Sequence, residues 1–332
     1  MPPLEKVAAP AAVNVCFLCF CRALRLSLAA SRDGPPDMAS ADNPLDDLRR
    51  QIDGIDDALH DLLMRRAEVA ERIGKLKSDD AGGAPAVFLR PGREAIVLRR
   101  LVARHQGALP KAVLVRLWRE LVSALLRLQG PFAVAVQGAG HGPGCWELAR
   151  DHFGGLTPIT AHESGSQVLR AVIDGEAQVG VLPLPQPDSA DPWWRHLLNR
   201  DPKIPRIVAR LPFAGPAGRG GSGEAFAVAR APQEPTGKDR SIIAIETAPQ
   251  TSGSGLTAAL KAAGLEPTAS QVWRDPKPGN GWLHFVELDG FLSADEPRLA
   301  ALVKAGEPVR QLWSLGGYAV PFAAAELAGE KA

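Results

Sequence analysis

The sequence predicts a protein of two parts, an all-helical N-terminal region followed by an α/β region. Between Asn43 and Leu128, apolar residues recur at steps of three and four among many charges, which is the period of amphipathic helices. Gln129-Gly130-Pro131 ends this pattern. From Phe132 onward, short apolar runs alternate with helix-like stretches, which is typical of an α/β fold.

The composition bounds the class of protein. With 332 residues, the chain has room for about two domains of roughly 150 residues each. Hydrophobic residues make up 45% and charged residues 23%, which is enough apolar material for a sizeable core. The net charge is only +1 and aromatic residues make up 5%, which argues against binding of nucleic acid by a basic surface or by stacked rings. We therefore expect no nucleic-acid partner.

Residues 1–42 are expected to form a disordered extension. Val13 to Ala30 is apolar, but Arg22 and Arg25 interrupt it, and a membrane-spanning helix needs about 20 mostly apolar residues. The three cysteines of this stretch have no second Cys/His pair nearby to complete four metal ligands. Met38 follows a Pro-Pro break and is a natural translation start. We expect no membrane segment, no metal and a cytoplasmic location.

The first helical segment, Asn43 to Lys77, has one apolar stripe with cations on it. The stripe is formed by Leu45, Leu48, Ile52, Ile55, Leu59, Leu62, Leu63, Ala70 and Ile73. Arg49, Arg66 and Lys77 lie on or beside this face, which we expect to be buried. One such cation most often extends to solvent, but several on a buried face need anionic partners. Because few carboxylates share the inner faces, a small dicarboxylate ligand would supply the missing anions.

Two further helices are predicted, and each carries a polar group at its inner face. The second begins near Gly92 and runs to about His105, with Glu94 at the edge of its apolar side. The third runs from Pro110, a favourable first helical residue, to Gln129, which ends the apolar stripe of that helix.

These residues together resemble the all-helical, type II chorismate mutases. The resemblance is carried by Asn43-Pro44-Leu45, Leu48-Arg49, Ile52, Ile55-Asp56, Leu62-Leu63, Arg65-Arg66, Ile73-Gly74-Lys75, Lys77, Arg93-Glu94 and Gln129. It covers residues 43–129 and implies a three-helix domain that works as an intertwined homodimer without a cofactor. The implied substrate is chorismate, which rearranges to prephenate in the biosynthesis of phenylalanine and tyrosine.

The resemblance also implies roles for particular residues. Arg49 would reach across the dimer and bind one substrate carboxylate, and Arg66 would bind the other with two parallel hydrogen bonds. Lys77 and Gln129 would flank the ether oxygen of the breaking C–O bond. A unimolecular rearrangement needs a held conformer and stabilisation of the growing negative charge, and these donors supply both.

At the ring-hydroxyl side the sequence both follows and departs from the family. Arg93 would line the pocket, and Glu94 would bind the ring hydroxyl. Arg90 stands where the family usually has an acidic residue, and Leu125 stands where a small hydroxyl residue is common.

The C-terminal half resembles a shortened prephenate dehydratase followed by an ACT regulatory domain. Val134 to Gly138 and Ser166 to Pro183 are similar to dehydratase segments, and Leu312 to Tyr318 is similar to a closing ACT strand. The Thr-Arg-Phe motif and a second lobe are missing, so we expect no dehydratase activity. The expected domains are 43–130 (chorismate mutase), 131–238 (truncated dehydratase-like) and 239–332 (ACT-like, βαββαβ).

The sequence therefore predicts a chorismate mutase, an isomerase. Two alternatives remain open at this point. One is a bifunctional chorismate mutase–prephenate dehydratase, and the other is a dimeric amino-acid sensor without catalysis. Retention of the cations on the apolar stripe favours the enzyme, since a protein that only dimerises would gain stability from apolar residues there.

Overall fold

The computed structural model describes residues 43–80, 82, 87–138, 144–187, 189, 191–215, 223–249, 251–274, 281–293 and 295–328. The extension predicted for residues 1–42 lies outside this part of the chain. The chain divides between Ala58 and Leu59 into two compact units, a boundary that falls inside the first helix.

The three predicted helices are confirmed. They are α1 (Pro44–Asp80), α2 (Pro91–Arg104) and α3 (Lys111–Gln129). The side chain of Asn43 accepts a hydrogen bond from the amide of Leu45 at 3.2 Å and so caps α1. Aspartates in its first turn and a lysine in its last turn suit the helix dipole. None of the described helices combines the length and the apolar character needed to cross a membrane.

The apolar stripe of α1, which the sequence predicts to be buried in a homodimer, is exposed in the single chain. In the unit before Leu59, the exposed fraction ranges from 51% at Leu45 to 59% at Ile55. In the second unit, Leu62 is 58% and Ile73 is 42% exposed. The buried residues of α1 are the small Ala70 and Gly74, because α3 packs closely on the helix at Gly74.

The α/β region contains a nine-stranded sheet with the strand order β2-β1-β3-β5-β4-β9-β6-β8-β7. Its first five strands are β1 (Val134–Gln137), β2 (Ile159–His162), β3 (Val179–Pro183), β4 (Arg206–Leu211) and β5 (Ala225–Ala229). The helices α4 (Cys145–Phe153) and α5 (Gly165–Asp174) connect the parallel strands β1, β2 and β3. Strands β3, β5 and β4 pair antiparallel.

The remaining elements follow the βαββαβ order predicted for the last region. They are β6 (Asp239–Thr247), α6 (Gly253–Ala262), β7 (Pro267–Arg274), β8 (Trp282–Asp289), α7 (Pro297–Lys304) and β9 (Val309–Ala319), followed by a short α8 (Ala324–Leu327). The order β9-β6-β8-β7 is that of ferredoxin-like sheets. The assignment of these elements to an ACT domain stays a prediction.

The two halves of the sheet are joined by β4 and β9, which run parallel and pair at Ile207 and Gly316. Gly316 has φ +116°, and a Cβ there would lie 2.2 Å from the carbonyl oxygen of Ile207, so only glycine allows this approach. The predicted boundary between residues 238 and 239 therefore lies at the start of β6, within one continuous sheet. The division into two C-terminal domains stays a prediction.

The second helix is hydrogen-bonded to the loop between β5 and β6 and to the residue that follows β9. Arg99 donates to the Thr236 hydroxyl at 2.8 Å and to the carbonyl oxygens of Lys238 and Val320, both at 2.9 Å. Gly92 packs against the backbone of Glu234, where a Cβ would lie 3.2 Å from the carbonyl oxygen. Since Arg93 and Glu94 lie in the same turn of α2 as Gly92, the α/β region fixes the position of both.

Candidate functional site

The last turn of α3 lies against the C-terminal part of α1. A Cβ on Gly74 would lie 2.8 Å from Cα and 3.1 Å from the carbonyl oxygen of Gln129, so the two backbones are in direct contact. Lys77 follows Gly74 by three residues, within one helical turn. The crossing therefore brings together the helix ends that carry the two residues predicted to bind the ether oxygen.

Both of these side chains donate hydrogen bonds to backbone carbonyl oxygens of the chain. Nζ of Lys77 donates to the carbonyl oxygen of Val87 at 3.2 Å and lies 5.8 Å from the centre of the Phe88 ring. Nε2 of Gln129 donates to the carbonyl oxygen of Leu125 in its own helix at 3.2 Å. To receive either donor, a ligand oxygen replaces one hydrogen bond to the backbone, a charge-assisted bond for Lys77 and a neutral bond for Gln129. Their role at the ether oxygen stays a prediction.

The charge of Lys77 is tuned by its surroundings. Partial burial lowers the pKa of Lys77, and repulsion by Arg90 lowers it further, while Glu234 raises it. Arg90 itself is bound by Glu234, with Nε 3.1 Å from Oε2. The cation that replaces the family's usual acidic residue is therefore paired with a carboxylate from the α/β region, which partly shields Lys77 from it.

The crossing at Gly74 leads to a stability prediction. Gly74→Ala should lower the free energy of unfolding, because the steric cost of overpacking against backbone, about 1–3 kcal/mol, exceeds the gain in helix propensity of about 1 kcal/mol. Gly54→Ala is the matched control in the same helix, since nothing lies within 4 Å of its Cβ position. Urea unfolding should show a loss for the first variant and no loss for the second. Equal stability of the two variants would contradict the close crossing.

The predicted carboxylate-binding arginines differ in their surroundings. Arg49 is exposed in the unit before Leu59, and its Nη1 forms an ion pair with Oδ1 of Asp46 at 2.9 Å. Arg66 lies on an exposed part of α1 in the second unit, where partial burial lowers its pKa. Neither side chain is used to hold the described fold together. Their binding of carboxylates stays a prediction.

The two residues predicted at the ring-hydroxyl side also differ. Arg93 is exposed. Glu94 is turned toward α3, where its Oε2 accepts a hydrogen bond from Nη1 of Arg119 at 2.8 Å. Burial raises the pKa of Glu94, and the charge and the hydrogen bond of Arg119 lower it. The ring-hydroxyl role of Glu94 stays a prediction.

Sequence reasoning missed Arg119 altogether. Arg119 lies between the buried residues Val115 and Ser123 at steps of four, so it is a cation on the inner face of α3. The same signal was used for Arg66 and Lys77 on α1 and would have identified it. Its partner Glu94 lies 25 residues away in sequence on another helix, a pairing that only the tertiary structure reveals.

Leu125, the second position at which the sequence departs from the family pattern, is a buried apolar residue in this chain. Leu125 is 5% exposed and lies at the inner side of α3. It offers its carbonyl oxygen, and no side-chain hydroxyl, to Gln129. The position therefore contributes apolar contacts where a hydrogen-bonding group is common in the family.

Known proteins match part of this chain. Residues 48–130 match the family model described as chorismate mutase type II. The bifunctional chorismate mutase/prephenate dehydratase of Pseudomonas aeruginosa is 35% identical over 138 residues, which are 41% of this chain and 38% of that protein. The Neisseria gonorrhoeae protein of the same name is 40% identical over 136 residues, 41% of this chain and 36% of that protein.

The chain thus matches less than half of the length of these curated relatives. Among solved structures, the X-ray structure of prephenate dehydratase from Streptococcus mutans aligns with 57% of this chain and 99% of that chain. The sequence identity there is 14% and the TM-score is 0.41.

Proposed function

We propose that this chain, whose residues 48–130 match the type II chorismate mutase family, isomerises chorismate to prephenate in aromatic amino-acid biosynthesis and does so in the cytoplasm. The observation that carries the proposal is the crossing at Gly74 and Gln129, which brings the donor-bearing ends of α1 and α3 together inside the matched region. A pericyclic rearrangement needs no nucleophile and no cofactor, and hydrogen-bond donors at the ether oxygen suffice.

In the proposed mechanism, Lys77 and Gln129 donate hydrogen bonds to the ether oxygen and stabilise the negative charge that grows on it. Lys77 is a cation in a partly buried setting, where its charge acts more strongly than in water. Arg49 and Arg66 bind the two carboxylates and so hold the compact conformer in which the reacting carbons approach each other. Arg93 lines the pocket, and Glu94 accepts the hydrogen bond of the ring hydroxyl.

The proposal includes a homodimer in which α1 of each subunit packs on the other. The exposed stripe supports this in each unit, since its leucines and isoleucines are 51–59% exposed before Leu59, and Leu59, Leu62, Leu63 and Ile73 in the second unit are 41–58% exposed. A second copy of the same stripe is a self-complementary partner, as twofold symmetry requires. In such a dimer Arg49 reaches the partner's site.

The α/β region is proposed to have no dehydratase activity of its own. The absence of the Thr-Arg-Phe motif from the sequence supports this, because that motif lies beside the scissile hydroxyl in the enzymes that it resembles. A dimeric sensor is the rival from another class. It would bind an amino acid through the βαββαβ elements and leave chorismate unchanged.

One incubation tests these alternatives. The purified full chain should deplete chorismate and accumulate prephenate, with no phenylpyruvate above the uncatalysed background at neutral pH. The products are separated by chromatography, and a chain with Arg66→Ala serves as the inactive control. Phenylpyruvate formed in proportion to enzyme would establish the bifunctional alternative, and undiminished chorismate would remove the mutase proposal.

A further inference from the structure

A buried ion pair joins α2 and α3 beside the predicted substrate-binding residues. Arg119 is 7% exposed, and its Nη1 lies 2.8 Å from Oε2 of Glu94. The side chain of Glu94 is 13% exposed. Because neither charge has much access to water, each depends on the other to remain ionised.

An aromatic ring covers another side of Arg119. Its guanidinium lies 4.8 Å from the centre of the Phe213 ring, a cation–π contact. Its Nε has no hydrogen-bond partner among the described residues. Phe213 in turn packs with Ala95 and Val115 in the cluster between the helices and the α/β region. Arg119 is thus fixed in one place and offers its charge to Glu94.

A pair of this kind is costly as a purely structural element. Replacement of a buried ion pair by apolar residues of similar size is often neutral or stabilising, so its presence needs another reason. The geometry supplies one. Arg119 donates a hydrogen bond to Oε2 of Glu94, and none of the described residues donates a hydrogen bond to Oε1. One carboxylate oxygen is therefore held and the other is left for a ligand.

Building on the proposed function, we infer that Arg119 is a positioning residue of the mutase site. It keeps Glu94 ionised and orients its carboxylate so that Oε1 accepts the hydrogen bond of the ring hydroxyl of the substrate. Arg119 touches no reacting atom and acts through Glu94. Phe213, which belongs to the α/β region, helps to hold Arg119 in place, because its ring covers the guanidinium.

Loss of Arg119 should change the pH dependence of the proposed activity. Burial raises the pKa of Glu94, and Arg119 opposes this effect, so loss of Arg119 leaves burial unopposed. Glu94 then takes up its proton at a higher pH, and a neutral carboxyl group is a weaker acceptor. Among the described residues, Arg119 also acts on the buried His152 of α4, whose pKa is held well below its usual value by burial and by the charge of Arg119. Its contribution must be separated from that of Glu94.

The test is the pH profile of kcat/KM for chorismate in the full chain. Arg119→Met should lower kcat/KM at neutral pH about 10- to 100-fold, the size of a lost hydrogen bond to a charged group. The acid limb of the profile, in which kcat/KM falls as the pH is lowered, should move to higher pH. Activity should be partly recovered under alkaline conditions. Arg119→Lys keeps the cation and should restore the limb toward its original position. Arg116→Met is the matched control on α3, because its side chain is 66% exposed and lies 3.8 Å from Asp151.

A double variant separates Glu94 from His152 and positioning from packing. Glu94→Gln should show no acid limb from this carboxyl, and adding Arg119→Met to it should change kcat/KM less than about threefold, since contacting residues that act as a unit are not additive. The inference would be overturned if Arg119→Met lowered kcat/KM by the same factor at every pH, and by the same factor in the Glu94→Gln variant as in the wild type.

If Arg119→Met does not fold, Arg119→Gln still donates a hydrogen bond but carries no charge. An unchanged acid limb in that folded variant would also overturn the inference. A wild-type chain that leaves chorismate intact is a different result, since it removes the proposed function and the inference with it.

Discussion

Lys77→Ala should lower kcat for chorismate by about 100-fold or more, the effect of removing one donor to a developing oxyanion. The charge on the ether oxygen grows between ground state and transition state, so the loss should fall on kcat more than on KM. The measurement is steady-state chorismate depletion by the purified full chain.

The control for this substitution lies on the same helix. Lys75→Ala removes an exposed lysine two residues earlier and should leave kcat unchanged. Because Lys77 is charged below its lowered pKa and neutral above it, kcat in the wild type should fall as the pH rises through that value. Full activity of Lys77→Ala would remove Lys77 from the mechanism.

The second large effect concerns the shared site of the proposed dimer. Arg49→Ala and Arg66→Ala should each be nearly inactive, because each loses a charged contact to a substrate carboxylate, which is bidentate for Arg66. After equimolar mixing and subunit exchange, half of the dimers pair one variant with the other. One site in each such dimer has both arginines intact, so about a quarter of the wild-type activity should return.

A second mixture controls for non-specific recovery. Arg66→Ala mixed with Lys77→Ala should regain no activity, since Arg66 and Lys77 are assigned to the same chain of each site and every site of the heterodimer lacks one of them. Subunit exchange is verified with differently tagged chains. Absence of recovery in the Arg49 mixture, despite proven exchange, would contradict a site shared between subunits.

The helices and their polar positions were accessible from sequence because they depend on local patterns. The periodicity of α1, a start of α2 near Gly92 and the end of α3 at Gln129 follow from apolar spacing and the Gly-Pro break, and α2 begins one residue earlier, at Pro91. The same patterns placed Arg66 and Lys77 on one helix face. The βαββαβ order was predicted from resemblance, and the structure has it.

Other features depend on contacts between distant residues, for which no local pattern exists. Arg90 looked like a plain departure from the family, yet its partner is Glu234, 144 residues further along the chain. The parallel pairing of β4 with β9, which joins the strands of both regions in one sheet, needs the close approach at Gly316.

The sequence by itself determined the three helices, the polar residues on their apolar faces and the family that residues 43–129 resemble. These features could be read from the sequence because the periodicity of side chains and the capping of helices act within a few residues. The tertiary structure decided that the stripe of α1 is exposed in the single chain and that Glu94 is held by Arg119. The physical reason is that burial and ion pairing depend on which surfaces meet after the chain has folded. A charge on an inner helix face shows that a partner is needed, but only the packed helices select which partner it is.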